Sequence, residues 1–219
     1  LLSSEEAMNY NFTPQPIPPI VVQRPWITPV YIIDSPSAQD FANGENIGKG
    51  LATALTAIKI LNSYQVAIDS LQFSKMLDEA LMAYIQQFNN QGFNVRPILH
   101  FSMHGSPGGI QLTDNTFISW EQLASYLAPY KRIVGHLPYI SMASCHGIAA
   151  TCLNGMLSSS YKWIVGNSGA VYQSDLTTAY LAFYNAMFYK QTVLDQAVNM
   201  MKIASGDNNF YGNLAPNFA

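Results

Sequence analysis

Short apolar runs alternate with amphipathic stretches of helical length along most of this chain, and that alternation dictates the class of fold. The runs fall at residues 30–34, 65–69, 97–103, 138–144 and 161–165. Between and after them, residues 46–61 place Ile47, Leu51, Leu55 and Ile58 at helical spacing, and residues 73–88 place Met76, Leu77, Leu81, Tyr84 and Ile85 on one face. Residues 119–130 read as a helix capped by Ser119, and two more helices are expected near 174–189 and 192–204. Residues 110–118, with Asp114-Asn115 between two short apolar pieces, read as a hairpin. Buried strands alternating with helices imply a mainly parallel sheet covered by helices on both faces, a three-layer α/β sandwich.

Ahead of the first run, residues 11–29 hold six prolines, including Pro18-Pro19. Proline blocks both helix and central strand, so residues 1–29 are expected to form an extended arm and residues 30–219 the folded domain. The chain has 219 residues, enough for one such domain. Only 11% are charged, against roughly 25% in an average globular protein, so the surface must be rich in Ser, Asn, Gln and Tyr, and a partner is expected to cover part of it. The net charge of -3 with no basic cluster argues against nucleic acid as a ligand. No apolar run approaches the ~20 residues of a membrane span, so no membrane partner is expected. The first ten residues lack the basic and apolar regions of a signal peptide and there is no initiator Met, so the chain reads as a fragment or a processed product. Cys145 and Cys152 are badly placed to bridge each other if they flank a helix start, and reduced thiols in a cytoplasmic setting fit better.

In parallel sheets the active site lies outside the carboxyl ends of the strands. His104-Gly105 follows the third apolar run and Cys145-His146-Gly147 the fourth, so both His104 and Cys145 occupy that place. If the two strands are neighbours, the two side chains emerge side by side. A thiol is a nucleophile only as thiolate, and an imidazole and a helix beginning after Gly147 would both favour that form. His104 would act as base and then protonate a leaving amine. Gly105 lets backbone approach a substrate carbonyl, and the N–H groups of Gly105 and Cys145 are the candidate oxyanion donors, worth about 3 kcal/mol each in comparable sites.

Several other residues stand near this place. Neighbouring side chains in an extended segment point apart, so His146 lines the substrate site or faces water rather than competing as base. Asp34 ends the first strand at the same sheet edge, either in the substrate pocket or as a cap. Asp175 either lines the pocket or caps the helix that follows it. His100 belongs to the core, His136 to a solvated loop and Cys152 to a packed helix. No metal site is expected, since His100 and His104 have no completing ligand set, and no cofactor is implied. A flavodoxin-like nucleotide or flavin binder would need a phosphate loop after the first strand. The glycine-rich residues 44–50 match no such pattern.

The apolar strand with its His-Gly, Ile98-Leu99-His100-Phe101-Ser102-Met103-His104-Gly105, resembles that of the clan of caspases, legumain and separase. Tyr139-Ile140-Ser141-Met142-Ala143-Ser144-Cys145 is similar to the clan's strand ending in Ala-Cys or Ser-Cys, and the 41-residue separation is near the spacing of caspase-type signatures. Trp163-Ile164-Val165-Gly166, Asp175 and Phe183-Tyr184 most resemble the bacterial CHAT peptidases; His146 stands where that family varies. The resemblance spans about residues 30–204. It implies a caspase-like (flavodoxin-like) sandwich, a His104–Cys145 dyad, and a cysteine endopeptidase acting on a protein or peptide substrate in bacterial defence or signalling, switched on by an activating sensor protein or domain. An inactive pseudoenzyme serving as a protein-interaction module is the alternative. Relatives that cut after Asp use an arginine at the end of the first strand and a Gln two residues before the Cys. This chain has Asp34 and Ala143 there, which disfavours an acidic side chain at P1, the residue whose carbonyl is attacked; P1 is expected to be Arg or Lys if Asp34 or Asp175 points into the pocket, and an apolar Leu, Met or Ala if neither does.

Overall fold

The computed structural model describes residues 23–156 and 161–215. In chain order the elements are β1 (Trp26–Ile27), β2 (Val30–Ser35), α1 (Ala38–Asn43), α2 (Ile47–Ala57), β3 (Asn62–Val66) and α3 (Ser70–Lys75). A π-helical turn at Met76–Ala80 joins α3 to α4 (Leu81–Asn90), followed by β4 (Asn94–Val95), β5 (Ile98–Ser106), β6 (Gly109–Gln111), β7 (Phe117–Ser119) and α5 (Trp120–Val134). Then come β8 (Tyr139–Ala143), a 3-10 helix (Gly147–Cys152) running into α6 (Leu153–Met156), β9 (Trp163–Asn167), α7 (Gln173–Tyr189), α8 (Leu194–Ser205) and β10 (Phe210–Leu214).

The main sheet has the order β10-β9-β8-β5-β2-β3, parallel except for β10 at one edge. Every residue of β2 is buried, as expected of a strand covered on both faces. Its side chains alternate accordingly. Tyr31 and Ile33 pack with Phe73, Leu81 and Leu127 of α3, α4 and α5. Val30 and Ile32 pack on the other side with Leu55, Phe183 and Met201 of α2, α7 and α8. The expected three-layer α/β sandwich is therefore the fold. Tyr31 also donates its hydroxyl to the carbonyl of Met76 at 3.0 Å, satisfying a group at the π turn.

The helix termini follow their capping residues. Ser119 and Gln122 form a capping box at α5, which ends on the left-handed Gly135. The hairpin of β6 and β7 forms as expected, built onto the end of β5. The strand expected at 65–69 lies instead at Asn62–Val66. It is an edge strand whose Asn, Ser and Gln are half-exposed, so only its last residue looks apolar. Residues 1–22 of the expected arm lie outside the described residues. Its last part is fastened down: Trp26–Ile27 pairs with Asn94–Val95, and the Arg96 guanidinium sits 4.7 Å from the Trp26 ring centre. Among the described residues no helix is long and apolar enough to cross a membrane.

Candidate active site

The register of three parallel strands builds the site. Asp34 of β2 is level with Ser102 of β5, and Ser102 with Ala143 of β8. His104 lies two residues beyond Ser102 and Cys145 two beyond Ala143, so both leave the sheet at the same level on adjacent strands. Between β2 and β5 the chain order reverses, because β3 lies outside β2 on one side and β5 on the other. Ligand sites of open α/β sheets form at such a switch point. A cleft opens there, with Asp34, Ser102, His104, Ser144 and Cys145 at the strand ends and Val171, Gln173 and Leu176 as its far wall.

The Cys145 loop is held by close backbone packing. An added Cβ on Gly105 would lie 2.4 Å from the Cys145 carbonyl oxygen, and one on Gly147 would lie 2.6 Å from that of Met142. Gly105 is therefore required by the backbone beside it, a reason separate from access to substrate. His146 takes a left-handed conformation (φ 55°) at the start of the 3-10 helix. Its backbone N–H donates to the Gly169 carbonyl at 2.9 Å, and its Nδ1 lies 3.0 Å from the Ser168 carbonyl, so that ring nitrogen carries a proton. The Cys145 Sγ lies 3.9 Å from the Val171 carbonyl oxygen. The helix expected after Gly147 does begin there. It is a 3-10 segment of six residues, with less aligned dipole than a long α-helix.

His104 places Nε2 2.6 Å from Oδ2 of Asp40, in the first turn of α1. Burial raises the Asp40 carboxyl, but hydrogen bonds from His104 and Ser37 and the nearby imidazole charge outweigh it and hold it below its ordinary value. Asp34 is different. It is 1% exposed, and burial pushes its carboxyl from its ordinary 3.8 up to about 6, against opposing hydrogen bonds from Tyr64 and from the backbone of Gly48 and Lys49. The Tyr64 hydroxyl donates to Oδ2 of Asp34 at 3.0 Å, and Asn46, the cap of α2, also bonds Tyr64. Asp34 thus anchors the first turn of α2 while lining the cleft.

This burial has a measurable sign. The folded state holds the Asp34 proton over pH 4–6, where the unfolded chain has released it, so the folded state binds more protons and stability falls as pH rises through that window. The loss by pH 7 is about 3 kcal/mol. In Asp34→Asn the contribution vanishes. Urea unfolding of both proteins from pH 4 to 7.5 should show the wild type losing stability relative to the variant across pH 4–6; parallel curves would rule out the shift.

Of the remaining residues singled out by sequence, Asp175 lies in the first turn of α7, where Ser174 donates to it at 3.3 Å, and is not among the cleft-lining side chains. Neither is His146. His100 is fully buried, bonds the Tyr184 hydroxyl through Nδ1 at 2.9 Å, and is pushed down to about 3 by burial, so it is a neutral core residue. Cys152, expected to pack in a helix, is instead exposed at the end of the 3-10 helix, because the buried positions of that turn are Gly147 and Ala150. Sequence reasoning missed Asp40 and Glu45, both of which line the cleft. Pro36-Ser37 followed three residues later by Asp40, and Gly44 after that, is a short-helix signature that would have located them. Among the described residues no group of three or more His, Cys, Asp or Glu side chains gathers as a metal site would need.

No protein-family model matches the chain, and no curated protein matches it. Among solved structures the chain is similar to a secreted C11 cysteine protease from Bacteroides thetaiotaomicron, determined in complex with an irreversible peptide inhibitor. The two are 13% identical with a TM-score of 0.49, and the match covers 81% of this chain and 57% of that one. The chain thus spans a little over half the length of that protease.

Proposed function

We propose that the chain is a caspase-like cysteine endopeptidase, with Cys145 as nucleophile, His104 as base and acid, and the backbone N–H groups of Gly105 and Cys145 as oxyanion donors. The observation that carries this reading is the register of β5 and β8, which brings His104 and Cys145 to one level at the switch-point cleft. The Cys145 thiolate attacks the scissile carbonyl, the oxyanion forms, and the proton taken by His104 goes to the leaving amine as the C–N bond breaks. Water then attacks the thioester and releases the acid.

A basic P1 residue fits the lining. Asp34 and Glu45 line the cleft beside Asp40, whose carboxylate is taken up by His104, and no Lys or Arg is among its lining residues. Glu45 is the exposed member of the three. It takes over the role proposed for Asp175, which stands off the cleft. Two unpaired thiols support a cytoplasmic setting, and a CHAT-like place in regulated bacterial defence, with an activating sensor, is the context proposed for the activity.

The test is incubation with a peptide library followed by sequencing of the cut ends, then matched fluorogenic peptides differing only at P1. Internal cuts, fastest after Arg or Lys, are expected. The engagement of Cys145 by the Val171 carbonyl favours one other reading, an inactive binding module. A library left uncut would uphold that one, and preferred cutting after Asp would remove the pocket assignment.

A further inference from the structure

We infer that Asp40 is the positioning residue of His104, fixing its imidazole in the tautomer that leaves Nδ1 as the basic nitrogen. This inference rests on the peptidase reading for its consequence in catalysis, but its structural half stands without it. Asp40 Oδ2 lies 2.6 Å from His104 Nε2 and is itself gripped by the Ser37 hydroxyl at 2.7 Å and the Ser37 backbone N–H at 3.2 Å. The Asp40 side chain is only 14% exposed, while His104 is 47% exposed and would otherwise be free to turn. An ionised carboxylate only accepts, so Nε2 must be the donor, and in the neutral ring Nδ1 is then bare. That nitrogen takes the thiol proton of Cys145 and later gives it to the leaving amine. The imidazolium formed between the two steps is stabilised by the Asp40 charge, which falls in a partly shielded site. The carboxylate arrives from α1 on the β2 side of the cleft, whereas the nucleophile arrives from β8.

The experiment uses the whole chain and four variants, Asp40→Ala, Asp40→Asn, Asp40→Glu and Ser37→Ala. Loss of the carboxylate in the first two should lower kcat on the order of 100-fold with KM within about twofold, because the group acts through the base and not on substrate binding. Asp40→Glu should recover about tenfold over Asp40→Ala. Ser37→Ala weakens the same helix cap but keeps the carboxylate, and should lose no more than about fivefold. Independently of activity, the ¹⁵N shifts of the His104 ring near pH 8 should show a protonated Nε2 and a bare Nδ1 in the wild type, and a tautomer mixture in Asp40→Ala. A bare Nε2 in the wild type overturns the inference, as does an Asp40→Ala enzyme within threefold of wild-type kcat. If the wild type cuts no peptide, the peptidase reading fails and the nitrogen shifts alone decide whether Asp40 orders the ring.

Discussion

Alanine at Cys145 or at His104 is expected to lower peptide cleavage by about 10⁴-fold or more, with the two losses nearly equal and the double variant no worse than either single one. A nucleophile and its base act as one unit, so removing either removes the whole covalent route. Folding should be spared. Cys145 is half-buried, and the hydrogen bond to Asp40 lost with His104 involves a half-exposed ring, so each substitution should change stability by less than about 1 kcal/mol. Alkylation gives a second readout that needs no substrate. At neutral pH iodoacetamide should label Cys145 more slowly in His104→Ala than in the wild type, because the imidazole that draws off the thiol proton is gone. Cys152 is an internal control: it is exposed, burial of its sulfur raises its thiol above the ordinary value, and it lies outside the cleft, so its labelling should be the same in both proteins. Peptide cleavage surviving in Cys145→Ala would sink the dyad outright. Equal labelling of Cys145 with and without His104 would leave a cysteine enzyme but remove His104 as its base.

The parts of this fold legible in the sequence are those where a residue's surroundings are uniform along an element. β2, β5, β8 and β9 are buried almost throughout and read as apolar runs. The amphipathic helices show their 3.6-residue stripe, and Ser119 with Gln122 announces the start of α5. The strand-end positions of His104 and Cys145 followed from that reading alone. Whether the two strands were neighbours did not, because apolar runs carry no pairing code, and the adjacency of β5 and β8 is a property of the folded sheet. The elements that escaped notice are short or mixed in environment. α1 has six residues, none of them buried, so it has no stripe at all, and the carboxylate that meets His104 sits on it. β10 alternates burial unevenly at an edge and contains Gly212. Asp34 illustrates the other limit. Its chain position marked it as a site residue, but its partners, Tyr64 and the first turn of α2, come from segments that only the tertiary fold brings together.

Gly105→Ala is expected to damage both stability and catalysis, by about 4 kcal/mol and on the order of 100-fold in kcat/KM. The added methyl would sit 2.4 Å from the Cys145 carbonyl oxygen and 2.9 Å from the Ser144 side chain. The first neighbour is backbone, and backbone at this point cannot yield alone. The strand that bears Gly105 is paired with β6 at Ile110, and the loop that bears Cys145 is bound at His146 to the Gly169 carbonyl. Relief therefore requires β5 and the Cys145 loop to separate, and those are the two segments that carry His104 and Cys145, the proposed base and nucleophile. A shift of about 1 Å there is enough to misalign the proton transfer and the oxyanion donors together. Gly108→Ala, three residues on in the same hairpin, is the matched control. Its Cβ would meet only the rim of the Phe117 ring at 3.5 Å, an ordinary contact, so urea midpoint and kcat/KM should stay close to wild type. Unfolding curves separate the two halves of the expectation. A Gly105→Ala protein that unfolds at the wild-type urea concentration would show that the contact relaxes at no cost and that the backbone around Cys145 is not held by close packing. One that is destabilised yet fully active would place the oxyanion donors somewhere other than this junction.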